Sequence, residues 1–142
     1  MVRLLDYKAA QPRSRFLPGS FTIPRSPKRV SLATIKIKIP SHACHNQIEL
    51  IATVGVRGVR RISGILFKIF RDGKEIFNTR QDVESASFSQ PYVVTFQAID
   101  KNVKSGTHVY TVTAENLASD TRARADVNGP ISFSGLAIRT KK

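Results

Sequence analysis

The chain has 142 residues, 41% of them hydrophobic, with one cysteine, three histidines and a net charge of +13. That length and apolar content suit a single domain with a real core, exclude a disordered chain, and offer no apolar run near the roughly 20 residues a membrane-crossing helix needs. A lone cysteine forms no internal disulfide, so Cys44 is an inert thiol, a reactive thiol or a bridge to another chain.

The first residues, MVRLLDYKAAQPRSRF, set charges close to their few apolar side chains. Without a continuous apolar stretch of roughly 7 to 15 residues they do not read as a secretory signal. Residues 8–28 hold four prolines with Phe16, Leu17, Phe21 and Ile23 spaced between them. Proline fixes φ and removes a backbone donor, so the stretch is predicted to be extended, outside any helix interior or central strand. Residues 1–28 thus read as an extended, basic, proline-rich arm seeking a partner surface for its apolar residues, with a disordered tail as the alternative that composition leaves open, and 29–142 as the domain. The first thirty residues carry seven basic side chains against Asp6 alone, and with Arg139, Lys141 and Lys142 the two ends hold +9 of the +13. Such an arm suits nucleic acid, a negatively charged surface or the acidic groups of a partner subunit.

From residue 30 the pattern is strand after strand. Ile35, Ile37 and Ile39 alternate with Lys36 and Lys38, the period of a sheet with one wet face. Val30 and Leu32 fall on the opposite parity, which points to a bulge near Ala33 or to a strand buried on both faces. Ile48, Leu50, Ala52 and Val54 form the next alternating set. In GILFKIFRDGKEIFNT, Asp72-Gly73 lies between two apolar runs, the signature of a two-residue hairpin turn with φ > 0. Tyr92, Val94, Phe96 and Ala98 share one face of a further strand, and Tyr110, Val112 and Ala114 share one face of another. Ile131, Phe133 and Ala137 end the series, with Gly135 marking a bulge or a close backbone approach. Seven or eight short strands with regular turn signals and no helical periodicity predict an antiparallel β-sandwich, jelly-roll or immunoglobulin-like, of underived strand order.

Chemistry is sparse. The chain lacks GxGxxG, P-loop, HExxH, CxxC and GxSxG motifs, and its carboxylates are few and scattered. The expectation is therefore a protein that is not an enzyme and uses no cofactor or metal. In Ser41–His45, SHACH, a zinc site would need a fourth ligand such as His108, and a thiolate nucleophile would need a positioned base. The segment reads as a connecting loop after Pro40, and an exposed Cys44 linking neighbouring chains is its functional alternative. The stretch GVRGVRRISG, with Arg57, Arg60 and Arg61, reads as a glycine-punctuated basic loop whose forked guanidinium groups could meet phosphates. Phe67, Phe70 and Tyr92 lie in strand patterns and read as core.

Four ordered segments, LLDYKAAQP, ILFKIFRDGKEIFNT, VTFQAIDKNVKSGTHVYTVTAENL and GPISFSGLAI, together resemble the small exosporium protein C family of spore-forming Firmicutes. The insertions RSR, VRGVRR and SHACH depart from that family. The resemblance implies a structural protein of the endospore surface, made in the mother-cell cytoplasm without a signal peptide and associating with itself and with other spore-surface proteins. It also implies assembly through arms or strands, a form of β-augmentation. The arm residues that would fill a neighbour's groove are Leu4, Leu5, Tyr7, Phe16, Leu17, Phe21 and Ile23. The rival reading is a capsid-like or nucleic-acid-binding jelly roll whose basic arm neutralises phosphates. A carbohydrate-binding module is less attractive because the chain has no Trp.

Overall fold

A computed structural model of the chain describes residues 2–16, 21–61, 64–83 and 90–140. Among these residues nine strands form: β1 (Arg3–Arg13), β2 (Phe21–Thr22), β3 (Val30–Ile39), β4 (Asn46–Arg60), β5 (Gly64–Arg71), β6 (Lys74–Asp82), β7 (Gln90–Lys101), β8 (Gly106–Asn116) and β9 (Arg124–Arg139). The Asp72-Gly73 turn closes the β5–β6 hairpin, with φ of 52° and 84° at its two residues. Around that hairpin the chain doubles back on itself. β4 pairs with β7, β3 with β8 and β1 with β9, all antiparallel. Successive pairs fall alternately into two sheets, ordered β1-β9-β4-β7 and β3-β8-β5-β6, with β2 added to β9. A long hairpin wound this way is a jelly roll, so the pairing decides between the two sandwich types that the sequence leaves open.

The inner faces follow the alternation read from the sequence. Ile35, Ile37 and Ile39 of β3, Ile48, Leu50, Ala52 and Val54 of β4, and Tyr110, Val112 and Ala114 of β8 are all buried. The parity change before Ala33 is a register shift between Ser31 and Ala33. Gly135 is a close approach: a Cβ there would stand 2.8 Å from the Ile35 Cδ1 atom. Phe67 and Phe77 both pack on Phe96, at centroid distances of 5.2 and 5.9 Å, and close the side where β6 meets β7.

Buried polar groups tie the loops to the core. Asn46 donates from Nδ2 to the Ala43 and Val103 carbonyls, and its Oδ1 accepts from the Val103 N–H at 2.8 Å. One amide thus joins the β3–β4 loop to the β7–β8 loop. Asp100 accepts from Arg71 at 2.6 Å and from the Tyr110 hydroxyl at 2.8 Å, linking β7 of one sheet to β5 and β8 of the other. Burial, with this hydrogen bond to a carboxylate, pushes the Tyr110 hydroxyl well above the ordinary tyrosine range.

The segment read as an arm is largely in register with the domain. β1 is an edge strand on β9, Phe21 and Thr22 pair with Val127 and Asp126, and Ile23 is a core residue at 1% exposure. Proline is tolerated here because Pro12 sits on an edge strand, where no second ladder calls for its N–H. The Arg57–Arg61 stretch differs from the loop expected of it. β4 runs on through Arg60, pairing with β7 as far as Gly58 and with β9 as far as Arg124. The strand continues because Val56 and Gly58 still face inward. Its glycines are spacers, not punctuation: a Cβ on Gly55 would collide with the Gly129 carbonyl.

Candidate functional site

The seven arm side chains divide into groups. Ile23 lies in the core, and Leu5 and Phe21 are partly buried against it, with the Arg13 guanidinium 5.3 Å from the Phe21 ring centroid. Leu4, Tyr7 and Phe16 stand in solvent at 63%, 56% and 49% exposure. Leu17 lies outside the described residues. Asp6 fastens the outer edge of β1 to β3, its Oδ2 accepting from the Lys38 N–H at 2.8 Å. Burial alone would raise the Asp6 carboxyl, but this bond and those from Lys8 and the Tyr7 N–H hold it below the usual carboxylate range.

Leu4 and Tyr7 do not stand alone. Cross-strand partners share a face, so the register sets out the outer surface of the β1-β9-β4-β7 sheet row by row. Leu4, Ile138, Gln47 and Lys101 form one row, Tyr7, Leu136, Glu49 and Ile99 the next, and Ala9, Ser134, Ile51 and Gln97 the third. Ser132, Thr53 and Thr95 follow, and then Val93 beside Gly55. Only Glu49 and Lys101 carry charge in these rows. Ile51, Val93 and Ile99 are exposed, Val93 at 67%, and a shallow depression lies among Tyr7, Ala9, Gln11, Ile51, Ser132 and Ser134. The outer face of the other sheet is of the ordinary kind. It carries Lys36, Lys38, Lys68, Glu75 and Arg80, with Lys68 paired to Glu75 at 3.3 Å and to the buried Glu115 at 3.2 Å. Ile51, Val93 and Ile99 were missed in the sequence because each sits on the off-parity of its strand. Their signal was apolar residues at both parities in IELIATV and YVVTFQAI.

At the end where β4 finishes and β9 begins, arginines converge. Arg60 is the register partner of Arg124, and its Nε donates to the Arg122 carbonyl at 2.9 Å. Arg61, turned off the strand at φ 49°, reaches Asp120 at 3.5 Å, and Arg122 Nε lies 3.4 Å from the same carboxylate. Asp126, buried, is held by Arg124 at 3.0 Å and by Arg57 at 3.7 Å. Arg122 and Arg124, in SDTRARAD, gave no sign in the sequence of joining Arg57–Arg61, because only the β4–β9 pairing brings them together.

The opposite end carries SHACH. Residues 40–45 form the β3–β4 connection as expected, with the Ala43 N–H donating to the Pro40 carbonyl and His45 at φ 61°. Cys44 is a free, exposed thiol. His108 lies elsewhere, its Nδ1 at 2.7 Å from Asp72 and its Nε2 at 2.7 Å from the Lys104 carbonyl, so it is not a fourth partner for the loop. Among the described residues no group of three or more His, Cys, Asp or Glu side chains stands close enough to hold a metal ion. Nor is any helix among them long and apolar enough to cross a membrane.

No protein-family model and no curated protein matches the sequence. Among solved structures, the chain is similar to part of dimeric latent PorU from Porphyromonas gingivalis, with TM-score 0.44 and 12% identity over 96% of this chain and 13% of that one. It is also similar to part of a structure of infectious bursal disease virus, Gt strain, with TM-score 0.46 and 8% identity over 100% of this chain and 38% of that one. This chain therefore spans a small part of each, and the jelly-roll assignment stands on the strand order itself.

Proposed function

We propose that the protein is a non-enzymatic, self-assembling structural subunit of the bacterial endospore surface, in the exosporium or an appendage. One observation carries the self-association: in a chain of net charge +13, five successive rows of one sheet face, from Leu4–Lys101 to Gly55–Val93, present Leu4, Tyr7, Ile51, Val93 and Ile99 with only Glu49 and Lys101 charged, before Arg57 and Asp126 close the face. Single exposed apolar residues are ordinary, but a contiguous patch rimmed by charge has the composition of an interface. The N-terminal segment contributes to it while paired to its own sheet, through Leu4 and Tyr7, with Phe16 at its far end. The spore-surface placement rests on the four-segment resemblance. The partners would be further copies of the chain and other proteins of that layer.

The test is negative-stain electron microscopy with light scattering on the wild type and on Ile51→Lys combined with Tyr7→Glu, both at high salt to remove adventitious nucleic acid. Ordered fibres or sheets from the wild type and dispersed particles from the variant, at equal melting temperature, are expected. A variant that assembles like the wild type sinks the reading.

A further inference from the structure

The arginine end remains unexplained by assembly through the uncharged face. The β4–β9 register sets Arg60 directly opposite Arg124, and like charges directly opposite on a sheet destabilise it. Arg57, Arg61 and Arg122 crowd the same end. The carboxylates paired to the group are Asp120 and Asp126, and both are already engaged.

Among the described residues, a second copy offers no cluster of free carboxylates to supply the missing negative charge. Of the ten carboxylates, Asp6, Glu75, Asp82, Asp100, Glu115, Asp120 and Asp126 are tied in ion pairs within the chain, and Asp72 is hydrogen-bonded to His108 and the Val109 N–H. Glu84 lies outside the described residues, and Glu49 stands alone on the sparsely charged face, between Leu136 and Ile99. An acidic patch able to receive an arginine cluster is absent from the described surface. A complement to these arginines is therefore sought in a molecule other than a second copy.

We infer that the arginine end, Arg60, Arg61, Arg122 and Arg124 with Arg57 beneath them, binds a phosphate-bearing linear polyanion through its backbone charge. Guanidinium forks match phosphate oxygens in planar, two-bonded geometry, and several of them spread over a strand end and the adjoining turn, Arg60 and Arg124 on β4 and β9 with Arg61 and Arg122 beside them, suit an extended polymer better than a small ion. Arg60 and Arg61 retain donors toward solvent after their contacts to the Arg122 carbonyl and Asp120. This binding is independent of the self-assembly reading and uses a different surface.

The experiment is fluorescence anisotropy of a labelled 20-base-pair DNA duplex titrated with the full chain across a salt series, with long-chain inorganic polyphosphate as competitor. The variants are R60Q/R61Q/R122Q, which leaves Arg124 and Arg57 on the buried Asp126, and the charge-matched K74Q/K101Q/K104Q at the opposite end. For the arginine variant the slope of log K against log salt falls by about 2.7, that is about 0.9 for each of three lost contacts, with at least a tenfold loss of affinity at moderate salt. The lysine variant stays within about twofold of wild type, and melting temperatures confirm that both are folded. Displacement by polyphosphate assigns the site to phosphate charge in general, and binding without displacement assigns it to nucleic acid; either result keeps the site at the arginines. Equal weakening by the two variants, or no binding at low salt, overturns the inference.

Discussion

Ile23→Ala tests whether the N-terminal segment belongs to its own domain. Ile23 is 1% exposed, is followed by a proline, and donates its N–H to the Ala125 carbonyl at 2.8 Å. The substitution removes three buried carbon groups. At about 0.8 kcal/mol each this is about 2.4 kcal/mol, and the residual cavity brings the cost to about 3 to 4 kcal/mol. In a domain of this size each kcal/mol moves the melting temperature by about 3 to 4 °C, so a drop of about 10 °C is expected. Leu4→Ala, on the same segment but solvent-exposed, should cost at most about 0.5 kcal/mol. Thermal and urea unfolding followed by circular dichroism would measure both, at two protein concentrations. A drop independent of concentration places Ile23 in its own core; a shift of less than about 2 °C, or an equal effect of Leu4→Ala, refutes the reasoning. The same structure predicts that truncation through β1 already strips the β9 edge and the partly buried Leu5 and Ala10, and that truncation past Phe21 also removes Ile23 from the core.

Tyr110→Phe removes the hydroxyl that donates to Asp100 but leaves Arg71 in place, so a loss of about 1.5 to 3 kcal/mol in urea unfolding is expected, the worth of a hydrogen bond to a charged group. Gly55→Ala drives a methyl group into the Gly129 carbonyl, backbone against backbone, and should yield insoluble or unfolded protein on expression, whereas Gly73→Ala, where a Cβ meets open space but φ is 84°, should fold with about 1 kcal/mol of strain. Acid should destabilise the fold. Burial opposes the charge of Asp72, but His108 and the Val109 N–H outweigh it, while Asn78 and Lys68 lower Glu75 and the Arg122 N–H lowers Asp120. With folded values below the unfolded ones of about 3.9 and 4.3, the native state binds fewer protons in the acid range. The stabilisation is therefore complete above about pH 5 and is lost as pH falls below 4 toward the folded values. Melting temperatures measured from pH 6 to 2 should fall along that course, less steeply in Asp72→Asn.

What was legible in the sequence was what local chemistry decides. The Asp72-Gly73 turn needs two positive φ values from two adjacent residues, and the Ile35–Ile39 alternation needs one buried face; neither depends on distant chain. Strand order was illegible because the inner faces of β3, β4 and β8 present the same alternating aliphatic residues, and nothing in Ile48 or Val112 names its neighbour. The prolines around Ile23 speak only for extended chain, and an arm, an edge strand and a short added strand are all extended. The glycines of VGVRGVRR suggested a loop, while Gly55 answers the backbone crossing at Gly129, seventy-odd positions away. The latch at Asn46 and the link at Asp100 depend on partners from other strands, and a polar residue at a strand end looks the same whether it caps a core or faces water.

The two surfaces respond oppositely to salt, and this separates them. Copies carrying +13 repel one another, and the face that brings them together has almost no charge of its own to offset that. Raising ionic strength from about 0.01 to 0.15 M shortens the screening length from about 30 to 8 Å, which weakens repulsion between whole subunits and leaves apolar contact intact. Self-assembly, followed by light scattering, should therefore strengthen with salt. Binding at the arginine end draws its affinity from released counterions and should weaken over the same range. A polyanion added at low salt would do what salt does for assembly, by neutralising the repelling charge, and R60Q/R61Q/R122Q should blunt that effect while assembling normally at high salt. Assembly that weakens as salt rises would mean that charge, not the uncharged face, holds the subunits together.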